Sequence, residues 1–351
     1  MMKVGIFKLS FKENEKRLPI HPDDIKSIEP RVLSQLYFEE GYGLDYGYTD
    51  EQLISWGCNI TTREELYEKE IIILPKPVVA DLEKMKKYGI LCGWTHAVQQ
   101  RDITDIAIEK NLTFLAWEEM FDETKPREES HIFYRNNELA GYAGVLHYLQ
   151  LKGDDGWYGT DKKVVVFGHG SVSKGAITAF MGRGIYDIIV YTKRPVNEVV
   201  NRSRGVEYKN INDDTIYEDL AKADIIFNGV LQDVNNPLMF IEDEYGLSKL
   251  KDNVGIIDIS CDKGMGFYFA EPTSFEKPTI DLGRGITYYS VDHTPTYLWN
   301  AATLEISRAL LPYLNIIVDP KWWDTSLTIR NSIDIRNGHI VNQKINKFQN
   351  R

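Results

Sequence analysis

The chain has 351 residues, too many for one ordinary core and the right length for two domains of roughly 100–200 residues each. Hydrophobic residues make up 43% and charged residues 26%, the balance of a folded chain rather than a disordered one. A net charge of −11 repels phosphate backbones and anionic lipid, and no apolar run nears the ~20 residues of a membrane span, so small molecules are the expected partners, not nucleic acid or membrane.

The opening MMKVGIFKL reads as a strand over residues 3–7, not as the apolar core of a secretory leader. Further Val/Ile-rich runs follow at 70–74 (EIIIL), 89–94 (GILCGW), 163–167 (KVVVF), 187–191 (DIIVY), 224–228 (DIIFN) and 254–259 (VGIIDI). Near-continuous apolar strands separated by amphipathic pieces, such as VADLEKMKKY at 79–88 and IYEDLAK at 216–222, predict an α/β fold with parallel sheets and crossover helices. Two helices mark the domain crossings. The first, at 138–151, carries the small residues Ala140, Gly141, Ala143 and Gly144 and precedes the polar stretch GDDGWYGTDKK; the second, roughly 298–314, follows a strand at 288–291. The expected division is therefore 1–138 plus 293–351 as a substrate domain, and 139–292 as an inserted dinucleotide domain. The tail SIDIRNGHIV predicts a hairpin turning at Asn337-Gly338, a favoured type I′ pair. Cys58, Cys92 and Cys261 include no CxxC, so no disulfide framework and no metal site are expected, and the setting is read as cytoplasmic.

The densest local signal is KVVVFGHGSVSKGA at 163–176. A strand runs into Gly168-x-Gly170-x-x-Ser173 and a helix opens behind it. Gly168 permits the tight turn, and Gly170 lets backbone approach a pyrophosphate seated on the helix N-terminus, with Ser171 and Val172 in the same loop. Ser173 departs from the usual third glycine. At the end of the next strand NAD sites place a carboxylate for the ribose 2′-hydroxyl, but this chain has Thr192-Lys193-Arg194. A hydroxyl and two cations suit a 2′-phosphate, so NADP(H) is the expected cofactor.

Four polar residues each follow the carboxyl end of an expected strand: Arg17 after 3–7, Lys76 in LPKP, His96 in GWTH and Asp262 in DISCDKG. Ligands of open parallel sheets bind at those ends. Singly, each suits a structural role. Together they are a toolkit: Arg binds a carboxylate bidentately, Lys polarises a keto oxygen, and His exchanges a proton near neutral pH.

KVGIFKLSFKENEKRLPI, ILPKP, GWTH, the glycine loop, NGVL at 228–231 and DISCDKG recur in the order seen in the alanine dehydrogenase and transhydrogenase superfamily, which the chain resembles over nearly its whole length. The segment VDHTPTYLWNAATLEISRALLPYL at 291–314 is more similar to the saccharopine dehydrogenases and, most closely, to the N5-(carboxyethyl)ornithine synthases. The resemblance implies two Rossmann-like domains, an active site in the interdomain cleft, and NADPH-driven reductive condensation of a 2-oxo acid such as pyruvate with the side-chain amine of ornithine or lysine. It implies that Arg17 and Lys76 hold the oxo acid and that His96 acts as acid/base. Asp262 then sits beside the nicotinamide as a third catalytic residue that helps bind or polarise the substrate, Gly229, Val230 and Leu231 line the nicotinamide pocket, His293 contacts substrate, and the protein is a homo-oligomer. Trp299-Asn300 stand where saccharopine dehydrogenases carry a basic residue, which argues against a dicarboxylic oxo acid. Rival readings are an alanine dehydrogenase, a saccharopine dehydrogenase, or a non-catalytic NADPH-binding regulator, which would need the glycine loop but not all four polar residues.

Overall fold

The computed structural model describes residues 1–233 and 236–351. Its strands run β1 (Val4–Ile6), β2 (Leu36–Glu39), β3 (Asn59–Thr61), β4 (Ile71–Ile73), β5 (Ile90–Gly93), β6 (Thr113–Ala116), β7 (Lys163–Phe167), β8 (Asp187–Thr192) and β9 (Glu207–Asn210). They continue as β10 (Ile225–Asn228), β11 (Met239–Ile241), β12 (Gly255–Asp258), β13 (Gly266–Phe267), β14 (Thr279–Asp281), β15 (Thr287–Tyr289), β16 (Ile333–Arg336) and β17 (His339–Ile340). The helices used below are α1 (Val79–Lys84), α2 (Arg101–Glu109), α3 (Tyr134–Lys152), α4 (Ser171–Gly182), α5 (Trp299–Leu310) and α6 (Gln343–Gln349).

Two compact units form, residues 1–134 with 299–351, and residues 135–298. These divisions lie a few residues outside the crossings read from the sequence, because α3 already begins at Tyr134 and α5 only at Trp299.

In the first unit the sheet order is β17-β16-β6-β5-β4-β1-β2-β3. Strands β1 to β6 are mutually parallel and show the doubly wound order 3-2-1-4-5-6. The C-terminal hairpin β16–β17 is added antiparallel on β6. Its turn residues Asn337 and Gly338 both have positive φ, as a type I′ turn demands. Side-chain alternation builds a core on each face: Val4, Ile6, Ile71 and Ile73 join one cluster, while Phe7, Ile72, Leu74 and Leu91 join the other. Burying each such side chain contributes ~1.5–3 kcal/mol, which is what makes a sheet covered on both faces stable.

The second unit repeats the plan with order β14-β15-β12-β10-β7-β8-β9, again 3-2-1-4-5-6 for the parallel strands, with β14 antiparallel at the edge. Val164 and Val166 point to one cluster, Val165 and Phe167 to the other. The small residues of α3 let it lie directly on α4: a Cβ on Gly141 would fall 1.8 Å from the Val172 carbonyl oxygen, and one on Gly175 would fall 1.8 Å from that of Glu138.

Two helices are shorter than their apolar patterns suggest. The helix at 79–88 stops at Lys84, where the Lys110 ammonium takes the carbonyls of Leu82 and Met85 at 3.1 and 2.8 Å. The helix at 298–314 stops at Leu310, because Pro312 has no N–H to continue it. Among the described residues no helix is long and apolar enough to cross a membrane.

Candidate active site

In the first unit, Arg17, Lys76 and His96 follow β1, β4 and β5, and Glu118 follows β6. The sheet order β6-β5-β4-β1 therefore sets all four at one edge, from consecutive strands. Lys76 Nζ lies 3.1 Å from His96 Nε2. Either partner can supply the proton of this contact, because the role of Nε2 follows the tautomer of the ring. His96 has φ 48°, the left-handed region that few non-glycine residues occupy. The backbone is held there from both sides. Its N–H donates to Glu118 Oε1 at 2.5 Å, and its carbonyl accepts from Gln99 N and Gln100 N at 3.1 and 3.0 Å. Beyond it, the Gln349 amide donates to the carbonyls of Ala97 (2.7 Å) and Val98 (3.2 Å), tying the loop to the end of α6.

Arg17 is buried at 3% exposure, and its first partner is internal. Nε and Nη2 donate to the two oxygens of Glu15 at 2.8 and 2.5 Å, while the guanidinium lies 5.0 Å from the Trp94 ring. Trp94 in turn meets Trp117 edge-on at 4.8 Å. The Nε–Nη2 edge of the guanidinium is thus engaged by Glu15. Asn300, early in α5, places Oδ1 3.4 Å from His21 Nε2, and the neighbouring Trp299 packs edge-on against Tyr46 at 5.1 Å.

In the second unit, the loops after β8, β7, β10 and β12 lie side by side because those strands are neighbours. Gly168 has φ +88°, and a Cβ there would come within 3.2 Å of Val230 Cγ2 and 3.3 Å of the Gly229 carbonyl. Gly170 is the extended N-cap of α4 and would meet nothing within 4 Å, leaving room for a pyrophosphate over the helix N-terminus. Ser173 causes no irregularity: its buried hydroxyl donates to the Phe167 carbonyl at 3.2 Å. Thr192 is buried and accepts from Arg194 N at 3.3 Å, Lys193 is exposed, and Leu231 is 94% exposed. This cradle fits a dinucleotide.

Beneath those loops lies a network absent from the sequence reading. Asp258, at the end of β12, accepts from Tyr288 Oη (2.8 Å), Asn228 Nδ2 (3.0 Å) and Ser260 N (3.1 Å). Asn228 accepts from Val230 N at 3.1 Å, and Ser260 Oγ donates to the Val230 carbonyl at 2.5 Å. Burial pushes the Asp258 carboxyl up to about 7 against these hydrogen bonds. Burial likewise raises Asp262 to about 6. His293 Nδ1 sits 2.6 Å from Asp292 Oδ1, its ring edge-on to Phe275.

Profiles of known families match both parts of the chain: "Alanine dehydrogenase/PNT, N-terminal domain" over residues 8–134 and "Alanine dehydrogenase/PNT, C-terminal domain" over residues 158–343. The chain belongs to the alanine dehydrogenase/PNT family. That family comprises NAD(P)-dependent oxidoreductases of amino-acid metabolism. The chain is 27% identical over 321 residues to an N(5)-(carboxyethyl)ornithine synthase of Clostridium botulinum, covering 88% of this chain and 92% of the relative. It is 21% identical over 359 residues to alanine dehydrogenase 1 of Staphylococcus aureus, covering 97% and 95%. Among solved structures an L-alanine dehydrogenase superposes with TM-score 0.80 at 18% identity over 99% of both chains. A transhydrogenase from Sinorhizobium meliloti superposes with TM-score 0.76 at 18% identity over 96% and 99%. The α/β architecture with two mainly parallel sheets is the fold of these structures.

Glu15, Glu118 and Asp258 are the site-forming residues that sequence reading missed. Glu15 stands two residues before Arg17. Glu118 obeys the same strand-end rule as Lys76 and His96, but the strand before it was not recognised.

Proposed function

We propose that the protein is an NADPH-dependent opine-forming oxidoreductase. It joins a 2-oxo acid, pyruvate first of all, to the side-chain amine of an amino acid, ornithine or lysine. One observation carries this reading: the 3.1 Å Lys76–His96 pair at neighbouring strand ends. It occurs in a chain similar over 88% of its length to three proteins named N(5)-(carboxyethyl)ornithine synthase.

The chemistry requires an uncharged amine to attack the oxo carbon, loss of water from the carbinolamine, and reduction of the imine. Arg17, oriented by Glu15, holds the oxo-acid carboxylate. Lys76 polarises the oxo oxygen. His96 takes the proton released by the attacking amine and returns one to the departing hydroxyl. The Lys76–His96 contact makes these transfers a property of the pair. NADPH, when bound, supplies the hydride. Gly168, Gly170, Ser171, Val172 and Ser173 would hold its pyrophosphate and Thr192, Lys193 and Arg194 its 2′-phosphate. Gly229, Val230 and Leu231 would hold the nicotinamide end, with Asp262 and His293 as substrate contacts. Homo-oligomeric assembly is part of the same reading.

Similarity to the Staphylococcus aureus alanine dehydrogenase over 97% of the chain favours a second reading, in which free ammonia is the amine. The deciding assay follows NADPH loss with pyruvate crossed against ammonia, ornithine, lysine and glutamate. Turnover with ornithine or lysine well above that with ammonia is expected. Turnover with ammonia alone would establish the second reading instead.

A further inference from the structure

Glu118 and Asp334 each carry a buried carboxylate oxygen, Oε2 and Oδ2, with no hydrogen-bond partner. Such atoms are rare in folded proteins because an unpaired buried acceptor forfeits the water it left behind. Two of them on neighbouring acids call for a common explanation. The neighbours are brought together by the C-terminal hairpin. Strand β16 pairs with β6 with Ile333 opposite Leu115, and Ala116 N donates to the Ser332 carbonyl at 2.7 Å. The register shift between Ile333 and Ile335 sets Asp334 against Leu115 and Phe114, on the strand that runs into the turn Trp117–Glu119, and its charge acts on Glu118.

The other oxygen of each acid is well used. Glu118 Oε1 accepts from His96 N at 2.5 Å and Thr95 Oγ1 at 3.2 Å, and Asp334 Oδ1 accepts from Asn342 Nδ2 at 2.8 Å. The charged and titratable groups around the pair come from every packed element. Glu119 shares the turn and is bridged at 2.6 Å by Lys344 of α6, which also faces Asp334. The His131 ring bonds the carbonyls of Trp117 and Glu118, and burial holds it neutral, down at about 4. His96 and Thr95 face it from the loop after β5.

We propose that Glu118 is the positioning residue that holds His96 in its left-handed backbone conformation, and that it does so as half of a one-proton pair with Asp334. A single O–H shared between Oε2 and Oδ2 satisfies both orphaned oxygens, and the proton is drawn from solvent. It leaves Oε1 as the acceptor that His96 N requires. The C-terminal hairpin thereby sets the loop that presents the imidazole. Burial raises both acids above the usual carboxylate range, in keeping with a retained proton. The part of this inference that concerns catalysis rests on the reading of His96 as acid/base.

Glu118→Gln, Asp334→Asn and Glu118→Ala in the full chain test it. In the first two an amide N–H replaces the shared proton and nothing remains to lose. The shared proton is released in the folded state only above the ordinary carboxylate range. The parent's melting temperature should therefore fall, relative to both amide variants, as pH rises from that range through neutrality. At neutral pH Glu118→Gln should keep kcat within about threefold and extend the alkaline limb of the pH profile. Glu118→Ala should lose tenfold or more in kcat with KM for the oxo acid within about threefold. Parent and amide variants with parallel melting-temperature profiles would overturn the shared proton. Glu118→Gln as damaging as Glu118→Ala would overturn the positioning role. If no amine supports turnover, the functional reading fails, but the melting comparison still decides the shared proton.

Discussion

His96 allows its chemistry and its backbone to be separated with two substitutions. Its φ of 48° costs an L-residue ~1–2 kcal/mol, whereas glycine adopts it freely but loses ~0.5–1 kcal/mol more chain entropy on folding. The difference favours His96→Gly over His96→Ala by about 0.5–1 kcal/mol, although both remove the imidazole. In a unit of this size that is a melting-temperature gap of ~1–4 °C. Activity should respond differently: both variants lose the group within 3.1 Å of Lys76 Nζ, so both should fall ~10²–10⁴-fold in kcat. The assays are thermal melts and steady-state turnover with pyruvate and the best amine, with NADPH binding followed by fluorescence as a control. An alanine variant as stable as the glycine variant would refute the strained backbone. A kcat within a few-fold of the parent in either would refute the acid/base role.

Arg194→Ala should raise KM for NADPH at least tenfold more than KM for NADH, and equal losses would separate Arg194 from the 2′-phosphate. Arg17→Ala should weaken oxo-acid binding with NADPH affinity unchanged by fluorescence titration. Glu15→Gln, which keeps one acceptor for the Arg17 fork, should give a smaller rise in the same KM. Asp258 binds its proton more tightly folded than unfolded, so its contribution to stability is complete below the ordinary carboxyl pKa near 4. That contribution is lost as pH rises through about 7. Asp258→Asn should flatten the fall in melting temperature across that window, and a parent curve no steeper than the variant's would count against a buried, titrating Asp258.

What could be read from the sequence was whatever announces itself locally. Lys76 and His96 follow apolar runs so dense that their strand ends are plain, and the glycine loop carries its strand and helix with it. The missed strands are short and mixed. Asn59–Thr61 and Glu207–Asn210 are only partly buried edge strands, and their polar side chains hide the alternation. Thr113–Ala116 is fully buried but four residues long, so Glu118 had no visible strand to follow. Asp258 lies inside the apolar run at 254–259, where nothing local marks it as more than part of the strand. Its role depends on Tyr288 and Asn228, brought to it by β15 and β10. Asp334 depends on β16 finding β6 across the intervening unit, a pairing that no local pattern encodes.

That pairing also sets an order of events during synthesis. Strand β6 is complete at Ala116, but its partner β16 ends at Arg336, about 220 residues later. At ~5–20 residues per second, the ribosome leaves the β6 edge open for roughly 10–45 s, while the whole second unit emerges and folds. An unpaired edge of Phe114 and Leu115 is a template for the wrong strand throughout that interval. The amide of Gln349, which closes the loop behind His96, arrives later still. The first residues made wait for the last ones, and a nascent chain stalled in between would display a finished dinucleotide fold beside an open sheet, the form on which a chaperone would act.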